Sequence, residues 1–249
     1  GVAVPERGRA LEFPQDHGAH PDFRIEWWYV TANLADSDGR RYGVQWTLFR
    51  SALSPGESDG WSSPQIWMGH AGLTTSEAHY STERLARGGV GQAGVSASPF
   101  AARIDDWALS SNPGSDDANL SSLSMSATGL DFSYDLQLTT DRPLIFHGDD
   151  GYSVKSSQGQ ASHYFSQPFF TAEGELEIDG RSIAVTGTAW LDREWSSQPL
   201  ASDQSGWDWF SLNFDGGEKL MAVRLRDETA GYVSGTWITA EGETVPLAP

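Results

Sequence analysis

An all-β chain of antiparallel strands, closed into a barrel or stacked as a sandwich, is the fold class this sequence predicts, and three observations predict it. Helical periodicity is nearly absent. Short runs rich in aromatic and β-branched residues recur along the chain. Turns rich in Gly, Asp and Ser separate those runs at even spacing.

The elements follow in order. Residues 26–34 open the series with Glu26-Trp27-Trp28-Tyr29-Val30. Strand side chains alternate between faces, so Glu26, Trp28 and Val30 share one face while Trp27 and Tyr29 share the other. The turn Asp36-Ser37-Asp38-Gly39 returns the chain into residues 41–51 as a hairpin. Further strands are expected over 65–75, 78–85, 101–109, 120–126, 130–139, 163–172, 174–178, 182–191, 207–214 and 219–226. Ala172-Glu173-Gly174, Asp179-Gly180 and Asp215-Gly216-Gly217 punctuate them. Loops at 54–63 and 110–119 are rich in Ser, Gly and Asp. A weak repeat is visible: Trp28-Tyr29-Val30 and Trp209-Phe210-Ser211 each lead through an acidic glycine turn to a strand that closes with arginine.

Composition narrows the function. At 249 residues the chain can form one large β domain or two small ones. Only 38% of residues are hydrophobic, but 11 Trp, 11 Phe and 7 Tyr supply a large apolar surface. A formal charge of −18 repels nucleic acid and anionic membrane surfaces. The absence of cysteine excludes disulfides, thiolate zinc sites and cysteine nucleophiles. No apolar run approaches the ~20 residues of a membrane span. No Gly-x-Ser-x-Gly elbow is present, and Gly88-Gly89-Val90-Gly91 lacks the following helix a phosphate loop needs. His17, His20 and Asp22 lie in a loop with no further ligand at metal-binding spacing, so neither metal nor cofactor is expected.

Two clusters can carry chemistry. In Trp190-Leu191-Asp192-Arg193-Glu194-Trp195, alternation places Trp190, Asp192 and Glu194 on one face. An acid between tryptophans is poorly solvated, which raises its pKa and makes it a candidate proton donor beside rings that steady a cation. Arg193 offers the opposite reading, a structural arginine–carboxylate pair at a barrel rim. In Ser162-His163-Tyr164-Phe165, His163 shares a face with Phe165 and can exchange protons near neutrality, or simply hold a structural hydrogen bond.

Asp16-His17-Gly18-Ala19-His20-Pro21 ahead of Glu26-Trp27-Trp28-Tyr29-Val30-Thr31 is similar to the opening signature of the bacterial carotenoid 1,2-hydratases and AttH-like "predicted secreted hydrolases". Trp190 to Gln198, followed by Gly206-Trp207-Asp208-Trp209-Phe210, resembles a later signature of the same family. The resemblance implies tandem lipocalin-like β-barrels. Residues 1–200 would form the first, and 201–249 the opening strands of an incomplete second.

It also implies that His163 and Phe165 match the family's His-x-Trp, and Trp190 and Asp192 its Tyr-x-Asp. Asp192 would then protonate an alkene, Trp190 and Phe165 would shield the cation, and His163 would take a proton from the attacking water. The two aromatic substitutions point away from carotenoid hydration itself and towards a related hydration, isomerisation or cyclisation of a polyene, terpenoid or lipid. Trp27, Trp28, Tyr29, Tyr164, Trp195 and Trp209 are expected to line the ligand space inside the barrel. Glu26, Arg24, Arg193 and Glu194 are expected to form structural ion pairs at its mouth. The alternative is a non-catalytic lipid carrier of the bacterial envelope working beside an ABC-type exporter. Either reading implies a periplasmic or secreted location, with a signal peptide already removed.

Overall fold

The computed structural model describes residues 1–198 and 200–248. Its strands, in order, are β1 (Ile25–Ala35), β2 (Arg41–Ala52), β3 (Gln65–Thr74), β4 (His79–Arg87), β5 (Ala93–Ala97), β6 (Phe100–Ile104), β7 (Trp107–Ser111), β8 (Ser122–Thr128) and β9 (Phe132–Thr139). There follow β10 (Ile145–Phe146), β11 (Tyr152–Val154), β12 (Ala161–Ile178), β13 (Arg181–Ser196), β14 (Gly206–Asn213), β15 (Lys219–Arg226), β16 (Tyr232–Ile238) and β17 (Thr244–Leu247). The only helical turns among the described residues are short 3-10 segments, Gln15–His17 and Gly60–Ser62.

Thirteen strands form one antiparallel sheet, ordered β4-β3-β2-β1-β13-β12-β9-β8-β7-β6-β5, with β10 and β11 added against β12. The sheet curls into a nearly closed, lipocalin-like barrel. β1 alternates strictly: Glu26, Trp28, Val30, Ala32 and Leu34 are buried, with residues between them partly or fully exposed, whereas β12 and β13 are buried on both faces where the last four strands cover them. The interior is filled rather than hollow, packed with Trp28, Trp46, Leu48, Phe100, Trp107 and the Leu and Ala residues between them. Each buried indole also needs an acceptor. Trp28 donates to the His17 carbonyl, Trp46 to that of Ser126 and Trp107 to that of Thr128, all at 3.1 Å.

Several boundaries differ from the sequence expectation. The run 101–109 is two strands, because Asp105, at φ 51°, and Asp106 turn the chain between β6 and β7. Conversely, Ala172-Glu173-Gly174 is no turn: β12 runs straight through it. Gly174 is there because a Cβ would fall 2.1 Å from the Asp135 carbonyl oxygen of the neighbouring strand. Strands β5, β10, β11, β16 and β17 are unforeseen; they are short, or rich in Gly and Ser, or interrupted by Pro246, and so lack the pattern of a buried strand. Between Gln167 and Phe170 the pairing of β12 with β13 slips by one residue in a β-bulge.

The last four strands form a separate antiparallel sheet, β14-β15-β16-β17. One of its faces packs Met221, Val223, Leu225 and Ile238 against Ile145, Tyr164 and Trp190 on the outside of the barrel wall. Its other face leaves Phe210, Leu212, Val233, Val245 and Leu247 exposed.

Candidate functional site

Trp27 and Tyr29 project outwards from β1 because their neighbours fill the barrel, and Thr47 and Phe49 continue that face on β2. The four-stranded sheet lies across this outer wall and encloses a cavity of about 550 Å³. Trp207, Trp209, Val223 and Leu225 form its roof, and Ser162, Tyr164, Asp192 and Glu194 complete the wall. The candidate ligand cavity therefore lies between the barrel and the second sheet. The expectation of a ligand inside the barrel fails because tryptophans occupy that interior.

Asp192 is 6% exposed and held with unusual asymmetry. Oδ1 accepts from Tyr164 Oη at 2.7 Å, Ser166 Oγ at 2.6 Å and Trp190 Nε1 at 3.0 Å. Oδ2 is buried and has no partner among the described residues. Burial raises the carboxyl to about 6, against the three donors, which favour the anion; the nearby Glu194 charge adds to the rise. With Oδ1 saturated by donors, the acid's proton belongs on Oδ2.

Behind these partners stands His147, which the sequence reading missed. Its ring lies 4.1 Å from that of Tyr164, and burial, helped by Lys155, lowers it to about 3, so it is neutral. Ser166 gives its proton to Asp192, so His147 Nε2–H donates to Ser166 Oγ at 2.7 Å, and Nδ1 accepts from Thr236 Oγ1 at 2.7 Å. Trp209 Nε1 donates to Tyr164 Oη at 3.2 Å. Two donors around the acid are thus themselves anchored to the second sheet. No local motif marks His147; its apolar neighbours Leu144, Ile145 and Phe146 are the only signal.

The opposite face of β12 and β13 is different. Arg193, fully buried, binds Glu26 at 2.8 Å and lies 4.1 Å over the Trp28 ring. Glu26 also meets Arg50 at 3.2 Å and His20 at 2.6 Å, and His20 reaches Asp16 at 2.9 Å. Burial opposes ionisation of Glu26, but His20, Arg193 and Arg50 outweigh it and hold the carboxyl at about 2. Burial likewise opposes charging His20, and Glu26 and Asp16 overcome it, raising the imidazole above its ordinary value. His20 also stacks on Trp195, 3.9 Å between ring centres. Of the two loop histidines near Asp22, His20 thus closes an ionic network under the barrel end, whereas the His17 ring bonds only to the Ala118 carbonyl among the described residues, at 2.9 Å.

The structure therefore gathers Asp192, Trp190, Tyr164, Trp27, Tyr29 and Trp209 at or against one cavity. It places His163, Phe165, Trp28 and Trp195 elsewhere. His163 pairs across from Trp195 and Phe165 across from Arg193, on the ionic face. Burial, helped by Arg9, lowers His163 to about 4. The physical reason is the bulge. The hairpin at Asp179-Gly180 starts with Ile178 opposite Arg181, and an unbroken ladder would put Asp192 opposite Gln167, on the His163 face. The slip puts Asp192 opposite Ser166 instead.

Among the expected ion pairs, Glu26 with Arg193 is present. Glu194 pairs with Lys155 at 2.8 Å rather than with Arg193. Arg24 is exposed and makes no side-chain ion pair among the described residues; its backbone N–H donates to Ser197 Oγ. No helix among the described residues is long and apolar enough to cross a membrane.

Comparison with known proteins places this geometry among relatives. The model of the family described as "AttH-like" matches residues 4–249. A crystal structure from Nitrosomonas europaea, assigned as an AttH, is 34% identical with a TM-score of 0.85, covering 100% of this chain and 75% of that one. Kievitone hydratase from Nectria haematococca superimposes with a TM-score of 0.72 at 15% identity, covering 98% of this chain and 72% of its own. CghA, solved with Sch210972, has a TM-score of 0.58 at 14% identity, covering 96% of this chain and 66% of its own. At those identities the last two are similar in fold alone. No curated protein sequence matches.

Proposed function

The chain belongs to the AttH-like family, and from that premise we propose that it adds water to a carbon–carbon double bond in the cavity beneath the four-stranded sheet. The observation that carries the reading is Asp192: buried, raised to about 6, saturated on Oδ1 and unpartnered on Oδ2. A passive carrier needs only an apolar wall and has no use for such an acid.

The Asp192 Oδ2 proton passes to the less substituted alkene carbon, and the π pair becomes the new C–H bond. The cation left on the neighbouring carbon faces Trp27, Tyr29, Phe49 and Trp209, rings whose faces attract positive charge. Tyr164, Ser166 and Trp190 stabilise the carboxylate at the moment it forms. Water adds to the cation, its spare proton returns to Oδ2, and the acid is regenerated. The cover provided by Trp207 and Trp209 keeps the site dry enough for the acid to stay protonated. One similar fold supports the reaction class, being named a hydratase.

The test is a panel of isoprenoid alkenes incubated in heavy-oxygen water and followed by mass spectrometry. The wild-type chain should yield labelled tertiary alcohol, fastest below about pH 6. Asp192→Asn should lower turnover by about 10²–10⁴-fold with binding intact. Equal turnover by that variant would overturn the proposal.

A further inference from the structure

The cavity wall carries two chemistries. Most of it is aromatic or aliphatic, but Lys155 and Glu194 also line it and pair at 2.8 Å, with side chains only 16% and 25% exposed. Ser162 Oγ donates to the same Glu194 oxygen, Oε1, at 2.6 Å. Both contacts fall on Oε1, which leaves Oε2 and two ammonium protons of Lys155 with no protein partner among the described residues. The reaction above uses neither residue. A largely buried ion pair with spare hydrogen-bonding capacity costs desolvation unless something satisfies it.

The pair's chemistry selects its ligand. It presents a donor beside an acceptor, so it matches a group that accepts and donates at once. A hydroxyl does both. A carboxylate only accepts, and Glu194 repels it. A hydrocarbon satisfies neither partner. The placement sets the spacing: Lys155 Nζ lies over the face of the Tyr164 ring, 4.7 Å from its centre, and the hydroxyl of that ring donates to Asp192. Polar pair and acid meet the same tyrosine.

We propose that the cavity takes a hydroxylated alkene, whose carbon skeleton lies against Trp27, Phe49 and Trp209 and whose hydroxyl bridges Lys155 and Glu194. This rests on the reading of Asp192 as the proton donor and narrows its substrate class from any apolar polyene to an alcohol or phenol carrying the double bond.

The test uses three probes of one carbon skeleton, farnesol, farnesene and farnesoate, titrated against the intact chain by quenching of tryptophan fluorescence. Trp27, Trp207 and Trp209 in the cavity wall supply the signal. Farnesol should bind about tenfold more tightly than farnesene, as charge-assisted hydrogen bonds allow, and more tightly than farnesoate. The double variant Lys155→Met/Glu194→Gln, which strands no buried charge, should bring farnesol and farnesene within about twofold of each other. Lys155→Arg should keep the preference for the alcohol.

An equal or stronger affinity for farnesene or farnesoate, a preference that survives the double variant, or no saturable quenching by farnesol would overturn the proposal. Its failure is separable from that of the hydration reading. Asp192→Asn should keep the alcohol preference while losing turnover. An alcohol preference without turnover by the wild-type chain sinks only the hydration; turnover without the preference sinks only the hydroxyl subsite.

Discussion

The two faces of β12 and β13 bury charge in opposite ways. On one, Arg193, Glu26, Arg50, His20 and Asp16 are packed so that each charge meets another, and Glu26 is held at about 2. On the other, one residue away along the strand, Asp192 has neutral donors but no cation, and burial lifts it to about 6. The same depth in the same sheet therefore gives a permanent anion on one side and a protonatable acid on the other. What decides is whether a cation is within reach. The paired face is suited to holding the barrel end together. The unpaired face costs stability and offers reactivity in return.

Four experiments sharpen or break that contrast. The largest effect is expected on the paired face. Glu26→Ala leaves the buried Arg193 and Arg50 with carbonyl and amide acceptors but without the carboxylate they share, and thermal unfolding should show a loss of about 3–5 kcal/mol or failure to fold. A variant that melts with the wild type would mean the network contributes nothing.

On the other face the sign reverses. Asp192 has a folded pKa raised from 3.8 to about 6, so its stabilising contribution is full below pH 3.8 and lost as pH rises through about 6. Asp192→Asn should thus be more stable than wild type at pH 7, by about 3 kcal/mol, and nearly equal to it at pH 3.5. Glu26 works the other way: its contribution is present above 4.5 and lost as pH falls towards about 2. Denaturant melts of both chains across this range read the two slopes directly. No gain at pH 7 would show that Asp192 is not destabilised by burial.

A finer change comes from the donors. Ser166→Ala removes one of three hydrogen bonds to the carboxylate and should move the alkaline limb of the turnover profile up by about one pH unit. An unmoved limb would detach Ser166 from the acid. The smallest effect is expected at His163, which faces the ionic side: His163→Gln should leave turnover within about twofold of wild type. A large loss there would return His163 to the chemistry.

How much of this was legible follows from the same alternation. Glu26-Trp27-Trp28-Tyr29 announced a strand with one carboxylate-bearing face, and β1 is that strand. Asp192 between tryptophans announced a poorly solvated acid, and its carboxyl is raised. Parity within one strand can be read from side-chain order alone. Register between two strands cannot, and that is why His163 and Phe165 were joined to Asp192 in the sequence reading while Tyr164 and Ser166 are its neighbours in space. His147 and Thr236 come from segments 89 residues apart and meet only because the second sheet folds back over the barrel. Lys155 was illegible because it reaches Glu194 only through the pairing of β11 and β13 on either side of β12.

The slip between Gln167 and Phe170 has a consequence for how this chain can vary. Side-chain identity is not what allots chemistry to the two sides of β12; the bulge is, because it sets two residues, Pro168 and Phe169, against Trp190 alone. Closing the ladder at full length would turn Tyr164 and Ser166 towards Arg193, and His163 and Phe165 towards Asp192, without a single substitution near the acid. Deleting one of the two bulged residues would instead leave a regular ladder with Ser166 still opposite Asp192. The site therefore tolerates a shorter chain at that point better than it tolerates a regular strand of the present length.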